Sequence, residues 1–135
     1  MDLIINTDGA SRGNPGPASY GFVIKVRDGV ILHQEGQRIE INTNNVAEYT
    51  GVLEALKYVK AQYSKKGPHQ IEVVADSLLI VSQLNGRYKL KSPHLKIIFD
   101  QIKVLEMEVG EVAYRHVLRA HNFIADRLAN QALDN

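Results

Sequence analysis

The order in which strand-like and helical patterns alternate constrains the fold of this chain most strongly. Apolar and β-branched runs occupy residues 2–7, 20–26 and 30–39, and the Asp-Gly dipeptide at 28–29 favours a tight hairpin between the last two. Residues 10–19 are rich in glycine and proline, which predicts a loop after the first strand. We therefore expect the first third of the chain to form an antiparallel meander.

Helical periodicity begins at Thr43-Asn44-Asn45, which supplies N-cap chemistry for a helix reaching about Tyr63. A short β-branched run at 71–75 predicts a strand parallel to the first, because the helix before it provides the crossover. Later patterns predict helices near 77–84 and 93–107, a strand over 112–118 and a closing amphipathic helix.

This order, βββαβααβα, predicts an α/β fold in which helices flank a mixed five-stranded sheet of three antiparallel strands followed by parallel ones. A length of 135 residues suits one core, and the sequence contains no internal repeat or linker. We expect a single domain over residues 1–135.

Composition limits the chemistry that the chain can perform. With 0 cysteines, thiolate metal sites, thiol nucleophiles and disulfides are excluded, which leaves hard oxygen ligands and histidines for any metal. A net charge of +1 means that binding to a nucleic acid needs local clusters of Lys and Arg. No basic leader precedes the first strand, and no run approaches the roughly 18 apolar residues of a bilayer span, so we expect a cytoplasmic protein without membrane contact.

Four acidic residues stand in positions that favour convergence. Asp8 and Asp76 each follow a strand-like run, and Glu48 and Asp126 lie beside apolar helical positions. Carboxylates held close together repel and raise one another's pKa unless a cation neutralises them, so their convergence would call for a metal. Each also has an ordinary alternative: Asp8 as a turn residue, Asp76 as a helix cap, and the other two as solvated helix residues.

Four segments, residues 7–18, 43–48, 75–77 and 122–130, together resemble the signatures of the ribonuclease HI family, and the resemblance covers essentially the whole chain. It implies an endoribonuclease that hydrolyses the RNA strand of RNA/DNA hybrids with two Mg²⁺ ions, or Mn²⁺ as a substitute. The products would carry 5′-phosphate and 3′-hydroxyl ends. Mg²⁺ prefers hard oxygen ligands, which agrees with the residues present.

The resemblance also implies a role for each acid. Asp8 would bridge both ions, Glu48 and Asp76 would hold the ion on the leaving-group side, and Asp126 would hold the ion that activates water. We expect Asp8→Asn or Asp76→Asn to abolish cleavage without unfolding the protein.

The same resemblance implies contacts to both strands of the hybrid. The 2′-hydroxyls of RNA would meet Glu48 and the backbone around the first signature, and the DNA strand would meet neutral polar residues. The implied substrate contacts are Gly9, Ala10, Ser11, Asn14, Thr43, Asn44, Asn45 and Ser77. The segment 14–17 is also typical of a simple turn, and Thr43-Asn44 of a simple cap.

A basic cluster lies between the two middle helices, where Arg87, Lys89 and Lys91 surround Tyr88, with Lys96 nearby. Phosphate contact and a solvated charged face are both open interpretations. Many bacterial relatives carry a longer basic protrusion with tryptophans here, whereas this chain has 0 Trp. The chain resembles the compact branch of the family, which lacks this basic protrusion. We therefore expect weaker affinity for the hybrid.

Two residues before Asp126 are candidates for an accessory catalytic role. Relatives place a mobile histidine on this connection, and in the compact branch an arginine with the spacing of Arg119 fills that role. Arg119 cannot act as a base, so its contribution would be electrostatic, and we rank His121 below it. Leu118 and Ala120 depart from the compact-branch pattern. Three further histidines, His33, His69 and His116, lack one another at metal-ligand spacing, so we assign them no function.

Three rival functions follow from the same residues. Another nuclease of this fold, such as a junction resolvase, exonuclease or integrase-like enzyme, would also use clustered acids. A catalytically silent hybrid-binding module is disfavoured because all four acids are present. A fragment related to the ribonuclease domain of a reverse transcriptase is the third. We expect a free-standing monomer without an obligate protein partner, with double-stranded RNA as a further candidate substrate.

Overall fold

The computed structural model describes residues 1–135 and contains five strands and four α-helices in the predicted order. Two short 3₁₀ segments, Ser64–Lys66 and Arg119–His121, precede β4 and α4. The elements are β1 (Asp2–Ser11), β2 (Gly16–Val26), β3 (Ile31–Asn42), α1 (Asn44–Tyr63), β4 (His69–Ala75), α2 (Leu78–Leu84), α3 (Pro93–Val109), β5 (Gly110–His116) and α4 (Phe123–Asp134).

The strands form one mixed sheet in the spatial order β3-β2-β1-β4-β5. β1 pairs antiparallel with β2 and β2 antiparallel with β3, whereas β4 is parallel to both β1 and β5. The predicted fold class and topology are confirmed. The predicted hairpin is present too: Gly29 has a φ of 102°, and the Val30 N–H donates to Asp28 Oδ1 at 3.0 Å.

Local capping chemistry sets where the helices begin. Thr43 accepts a hydrogen bond from the Val46 N–H at 3.2 Å, Ser77 accepts from Ile80, and Ser92 accepts from Leu95. These bonds satisfy N–H groups that have no partner inside the helix. The Thr43 cap fixes the start of α1, and the helix ends at Tyr63, as predicted.

Helices cover both faces of the sheet. On one face α1 and α3 enclose the largest apolar cluster, in which Ile5, Phe22, Leu56 and Ile102 are fully buried. On the other face α4 packs against β2, β1 and β3. Successive strand residues point to opposite faces, so each strand serves both layers.

The first strand is longer than its sequence suggests. β1 continues through Asp8 to Ser11 and β2 already begins at Gly16, so the predicted loop over 10–19 and the predicted strand end at residue 7 are wrong. The ladder between β1 and β2 persists to the pair Ser11 and Ala18, because pairing with a partner strand outweighs the weak strand propensity of a glycine-rich segment. The last strand also lies two residues earlier than its predicted start at 112. None of the helices has the length and apolarity needed to cross a bilayer.

Candidate active site

The register of the parallel strands brings Asp8 and Asp76 to the same level of the sheet. Asn6 of β1 pairs with Val74 of β4, and two residues further along each chain stand Asp8 and Asp76. Asp8 lies inside β1, opposite Gly21 of β2, so it is not a turn residue. Asp76 does not cap α2, because Ser77 does. For these two acids the ordinary alternatives are wrong.

Glu48 completes a cluster with these two aspartates. One carboxylate oxygen from each of Asp8, Glu48 and Asp76 lies within 4.8 Å of the other two. Asp8 and Glu48 are each only 5% exposed, and Asp76 is half-buried. Glu48 comes this close because Gly9 has no side chain: a Cβ there would lie 2.4 Å from the Glu48 backbone nitrogen. Glu48 is therefore not a solvated helix residue.

Burial and mutual repulsion make this cluster costly when all its members are charged. Burial and then the charge of Asp76 raise the pKa of Asp8 from 3.8 to about 7, although the Gly9 N–H donates to Asp8 Oδ1 at 2.9 Å. Burial and then the charge of Asp8 raise the pKa of Glu48 well above its ordinary value. Glu48 Oε2 is buried and has no hydrogen-bond partner. Three converging hard oxygen donors with an unpartnered buried oxygen fit a divalent cation such as Mg²⁺.

Asp126 approaches the cluster from the other layer of the molecule. It lies in the first turn of α4, where a carboxylate is stabilised by the helix dipole. Its side chain is 28% exposed, lies 3.5 Å from Arg119 Nη2 and accepts a hydrogen bond from Asn130 Nδ2 at 3.1 Å. The sequence indicated a carboxylate among apolar neighbours that needed compensation. The structure supplies that compensation through Arg119 and Asn130.

The three clustered acids, Asp126 and most of the predicted substrate contacts line one open cleft at this end of the sheet. Its lining residues are Asp8, Gly9, Ala10, Ser11, Asn44, Glu48, Asp76, Ser77, Arg119, Asp126 and Asn130. Asn14 lies at the rim, where its Oδ1 accepts from the Asn44 N–H at 3.0 Å. Thr43 uses its hydroxyl as the cap of α1, and Asn45 is exposed beside it.

The predicted basic residues lie outside this lining. Arg87, Lys89 and Lys91 are exposed on the connection between α2 and α3. Lys96 lies on α3, where it forms an ion pair with Asp100 at 2.7 Å.

The two accessory candidates separate clearly in space. Arg119 lines the cleft beside Asp126, whereas His121 lines a different depression with Lys25 and Phe123. Of the remaining histidines, His69 is buried and bonds the Tyr63 carbonyl at 2.8 Å, and His33 lies 3.2 Å from Glu35.

Sequence reasoning missed the residues that dock α4 onto the sheet. Cβ atoms at Gly21 and Gly36 would each lie 2.4 Å from a carbonyl oxygen of α4, that of Ala125 or Leu128. The Ser19 hydroxyl donates to the Ala129 carbonyl. An isolated glycine within a strand pattern signals such close backbone approach, and both glycines carried that signal.

Comparison with known proteins shows which proteins share this sequence and architecture. Residues 6–132 match the family model described as "Reverse transcriptase-like". A bifunctional protein of Mycobacterium tuberculosis is 42% identical over 99% of this chain and 36% of its own length, and Ribonuclease HI of Halobacterium salinarum is 41% identical over 95% and 62%. The crystal structure of LC11-RNase H1 in complex with RNA/DNA hybrid superposes with a TM-score of 0.94, at 42% identity over 98% of this chain and 96% of that one.

The chain belongs to the ribonuclease H1 family. The resemblance inferred from the four signature segments is therefore confirmed. The chain spans 36% of the length of the mycobacterial relative, whose N-terminal RNase H domain has a solved structure.

Proposed function

We propose that this ribonuclease H1 domain hydrolyses the RNA strand of RNA/DNA hybrids with two divalent metal ions, leaving 5′-phosphate and 3′-hydroxyl ends. The observation that carries the proposal is the cluster of Asp8, Glu48 and Asp76 oxygens within 4.8 Å of one another, beside Asp126 in one open cleft. The hybrid bound by LC11-RNase H1, which is 42% identical, supports the choice of substrate.

The division of the acids into a group of three and a separate fourth supports the assignment of two ion sites. Asp8 belongs to the cluster with Glu48 and Asp76, and it lines the same cleft as Asp126. Asp8 would contribute to both sites, Glu48 and Asp76 to the leaving-group side, and Asp126 to the nucleophile side. When bound, the ions supply Lewis acidity that activates water and stabilises charge on the leaving oxygen.

The protein's own task is to present deprotonated ligands in a fixed geometry. Asp8 and Glu48 must lose any bound proton before they bind a cation, so metal binding releases protons at neutral pH. The guanidinium group of Arg119 lines the cleft, where it can attract a phosphate and stabilise negative charge. We assign it the accessory role and assign none to His121.

Recognition of RNA would rest on the cleft floor. Gly9, Ala10 and Ser11 present backbone groups beside Glu48, and neutral polar groups of this kind suit the 2′-hydroxyl, which both donates and accepts hydrogen bonds. Asn14, Asn44 and Ser77 lie around the same opening and would contact the duplex backbone. Mg²⁺ is the preferred ion in this proposal and Mn²⁺ a substitute. A single domain over 1–135, a monomeric state and a cytoplasmic location complete it.

A duplex panel tests this function. Labelled RNA/DNA, RNA/RNA and DNA/DNA duplexes of one sequence are incubated with the protein and Mg²⁺, and the product ends are mapped. We expect internal cleavage of the RNA strand of the hybrid, with activity lost in the Asp8→Asn variant. Cleavage of DNA duplexes or junctions would favour another nuclease of this fold, and tight hybrid binding without cleavage in Mg²⁺ or Mn²⁺ would favour a silent binding module.

A further inference from the structure

The side chain of Asn122 is used in an unusual way for its position. Asn122 is the N-cap residue of α4, where asparagine normally accepts a hydrogen bond from an N–H of the first turn. Here it makes no such side-chain bond. Instead, Nδ2 donates to the Thr7 carbonyl at 2.8 Å, and Oδ1 accepts from Asn6 Nδ2 at 3.0 Å.

These bonds connect the two halves of the candidate metal site. Thr7 immediately precedes Asp8, and the carbonyl of Asn122 itself accepts from the Asp126 N–H at 3.2 Å. Asn122 thus bonds the backbone next to Asp8 through its side chain and the backbone of Asp126 through its own carbonyl. At 1% exposed, it is shielded from the water that would otherwise compete for these bonds.

We propose that Asn122 is a positioning residue that sets the place of Asp126 relative to Asp8, and so completes the second half of the metal site. The inference rests on the proposed function, because it assigns a purpose to the separation of these two acids. Its physical basis is that Asp126 alone among the four acids is carried by a helix on the other face of the sheet. That helix needs a fixed attachment if Asp126 is to lie beside the other three acids, which are carried by β1, by α1 and by the residue directly after β4.

The chain offers a matched control in Ser19. Its hydroxyl also ties α4 to the sheet through a buried hydrogen bond, but to the Ala129 carbonyl, about one turn beyond Asp126. Ser19→Ala and Asn122→Ala both remove buried attachments of the same helix. Only the second removes the attachment next to Asp126.

The test compares kcat, KM and the Mg²⁺ concentration for half-maximal activity on an RNA/DNA hybrid. For Asn122→Ala we expect kcat to fall by about 10- to 100-fold, as is typical when the partner of a metal ligand is removed, with KM nearly unchanged and a higher Mg²⁺ requirement. Ser19→Ala should lose thermal stability but keep the wild-type kcat and Mg²⁺ dependence. Asn6→Ala, which leaves the bond to Thr7 in place, should give a smaller loss of kcat and serves if Asn122→Ala fails to fold.

A second readout does not depend on catalysis. Calorimetric titration of the metal-free proteins with Mn²⁺ should show that Asn122→Ala weakens binding of the ion held by Asp126 and retains binding at the cluster of Asp8, Glu48 and Asp76. Ser19→Ala should leave both unchanged. Equal kcat, Mg²⁺ dependence and Mn²⁺ binding in the two variants would overturn the positioning role. A wild-type protein that leaves the hybrid intact would instead overturn the proposed function, while the Mn²⁺ titration would still decide the role of Asn122.

Discussion

The two halves of the candidate metal site differ in how their negative charge is balanced. Asp8 and Glu48 are almost fully buried beside Asp76 and have no cationic side chain among their hydrogen-bond and ion-pair partners. Asp126 is partly exposed and already has Arg119 and Asn130 as partners. The charge of the cluster of three is therefore balanced only by bound protons or by a cation, whereas Asp126 already has a cationic neighbour in Arg119. We infer that the cluster dominates divalent-ion affinity and that Asp126 tunes the geometry around it.

The largest expected effect is that of Asp8→Asn, because Asp8 would serve both ion sites. We expect kcat on the hybrid to fall by at least about 1000-fold, since the ion sites supply most of the transition-state stabilisation in this proposal. The metal-free variant should be no less stable than the wild type, because the substitution relieves carboxylate repulsion. Steady-state kinetics and thermal unfolding measure the two quantities. Full activity in this variant would refute the assignment.

Asp126→Asn should cost less than Asp8→Asn. The amide keeps one oxygen as a ligand and can still meet Asn130, so we expect a loss in kcat of about 10- to 100-fold. Mn²⁺ binding to the remaining cluster should persist and can be followed by calorimetry. A loss of kcat as large as that of Asp8→Asn would show that Asp126 matters as much as the cluster of three, which contradicts the division into two unequal halves.

Arg119→Ala should have a smaller effect still. The loss of one cationic side chain from an exposed part of the cleft is expected to reduce kcat by about 10-fold, through weaker stabilisation of phosphate charge. His121→Ala is the matched control on the same 3₁₀ segment and should leave kcat unchanged, because His121 faces a different depression. The reverse ranking, measured side by side, would transfer the accessory role to His121.

The smallest effect is expected from the connection between α2 and α3. Replacing Arg87, Lys89 and Lys91 together by alanine should raise KM by a few-fold and leave kcat unaltered. The logarithm of KM should also depend less steeply on the logarithm of salt concentration, by up to roughly 0.9 for each phosphate that these side chains neutralise in the wild type. An unchanged KM and salt dependence would identify this cluster as a solvated face.

The sequence predicts well those features that depend on residues close together in the chain. The bounds of α1 follow from the Thr43 cap and the apolar spacing after it, and the order of strands and helices follows from periodicity. The length of β1 was not predictable in this way, because its pairing with β2 overrides a glycine-rich segment.

The candidate site shows the same limit. Asp8, Glu48, Asp76 and Asp126 stand out in the sequence by their signature segments, but their division into a group of three and a separate fourth depends on which face of the sheet carries each element. The role proposed for Asn122 depends on hydrogen bonds between residues 115 and 116 positions apart in the chain, which no local pattern encodes. Gly21 carried a local signal, yet its partner on α4 becomes visible only in the folded protein.

The central claim is that a divalent cation makes the buried cluster tolerable, and the pH dependence of stability tests it most directly. Folding raises the pKa of Asp8 from its ordinary value of 3.8, which applies to the unfolded chain, to about 7. Between these two pH values the folded state therefore holds more protons than the unfolded state. We therefore expect the stability of the metal-free protein to fall as pH rises from about 4 to above 7, by on the order of a few kcal/mol.

The measurement is chemical denaturation of the metal-free protein at pH 5 and pH 8, with and without Mg²⁺, beside the Asp8→Asn variant. We expect the wild type to be less stable at pH 8 than at pH 5, Mg²⁺ to reverse much of that loss at pH 8, and Asp8→Asn to show a flatter pH dependence with little response to Mg²⁺. A wild-type protein whose stability is the same at both pH values and indifferent to Mg²⁺ would contradict the account.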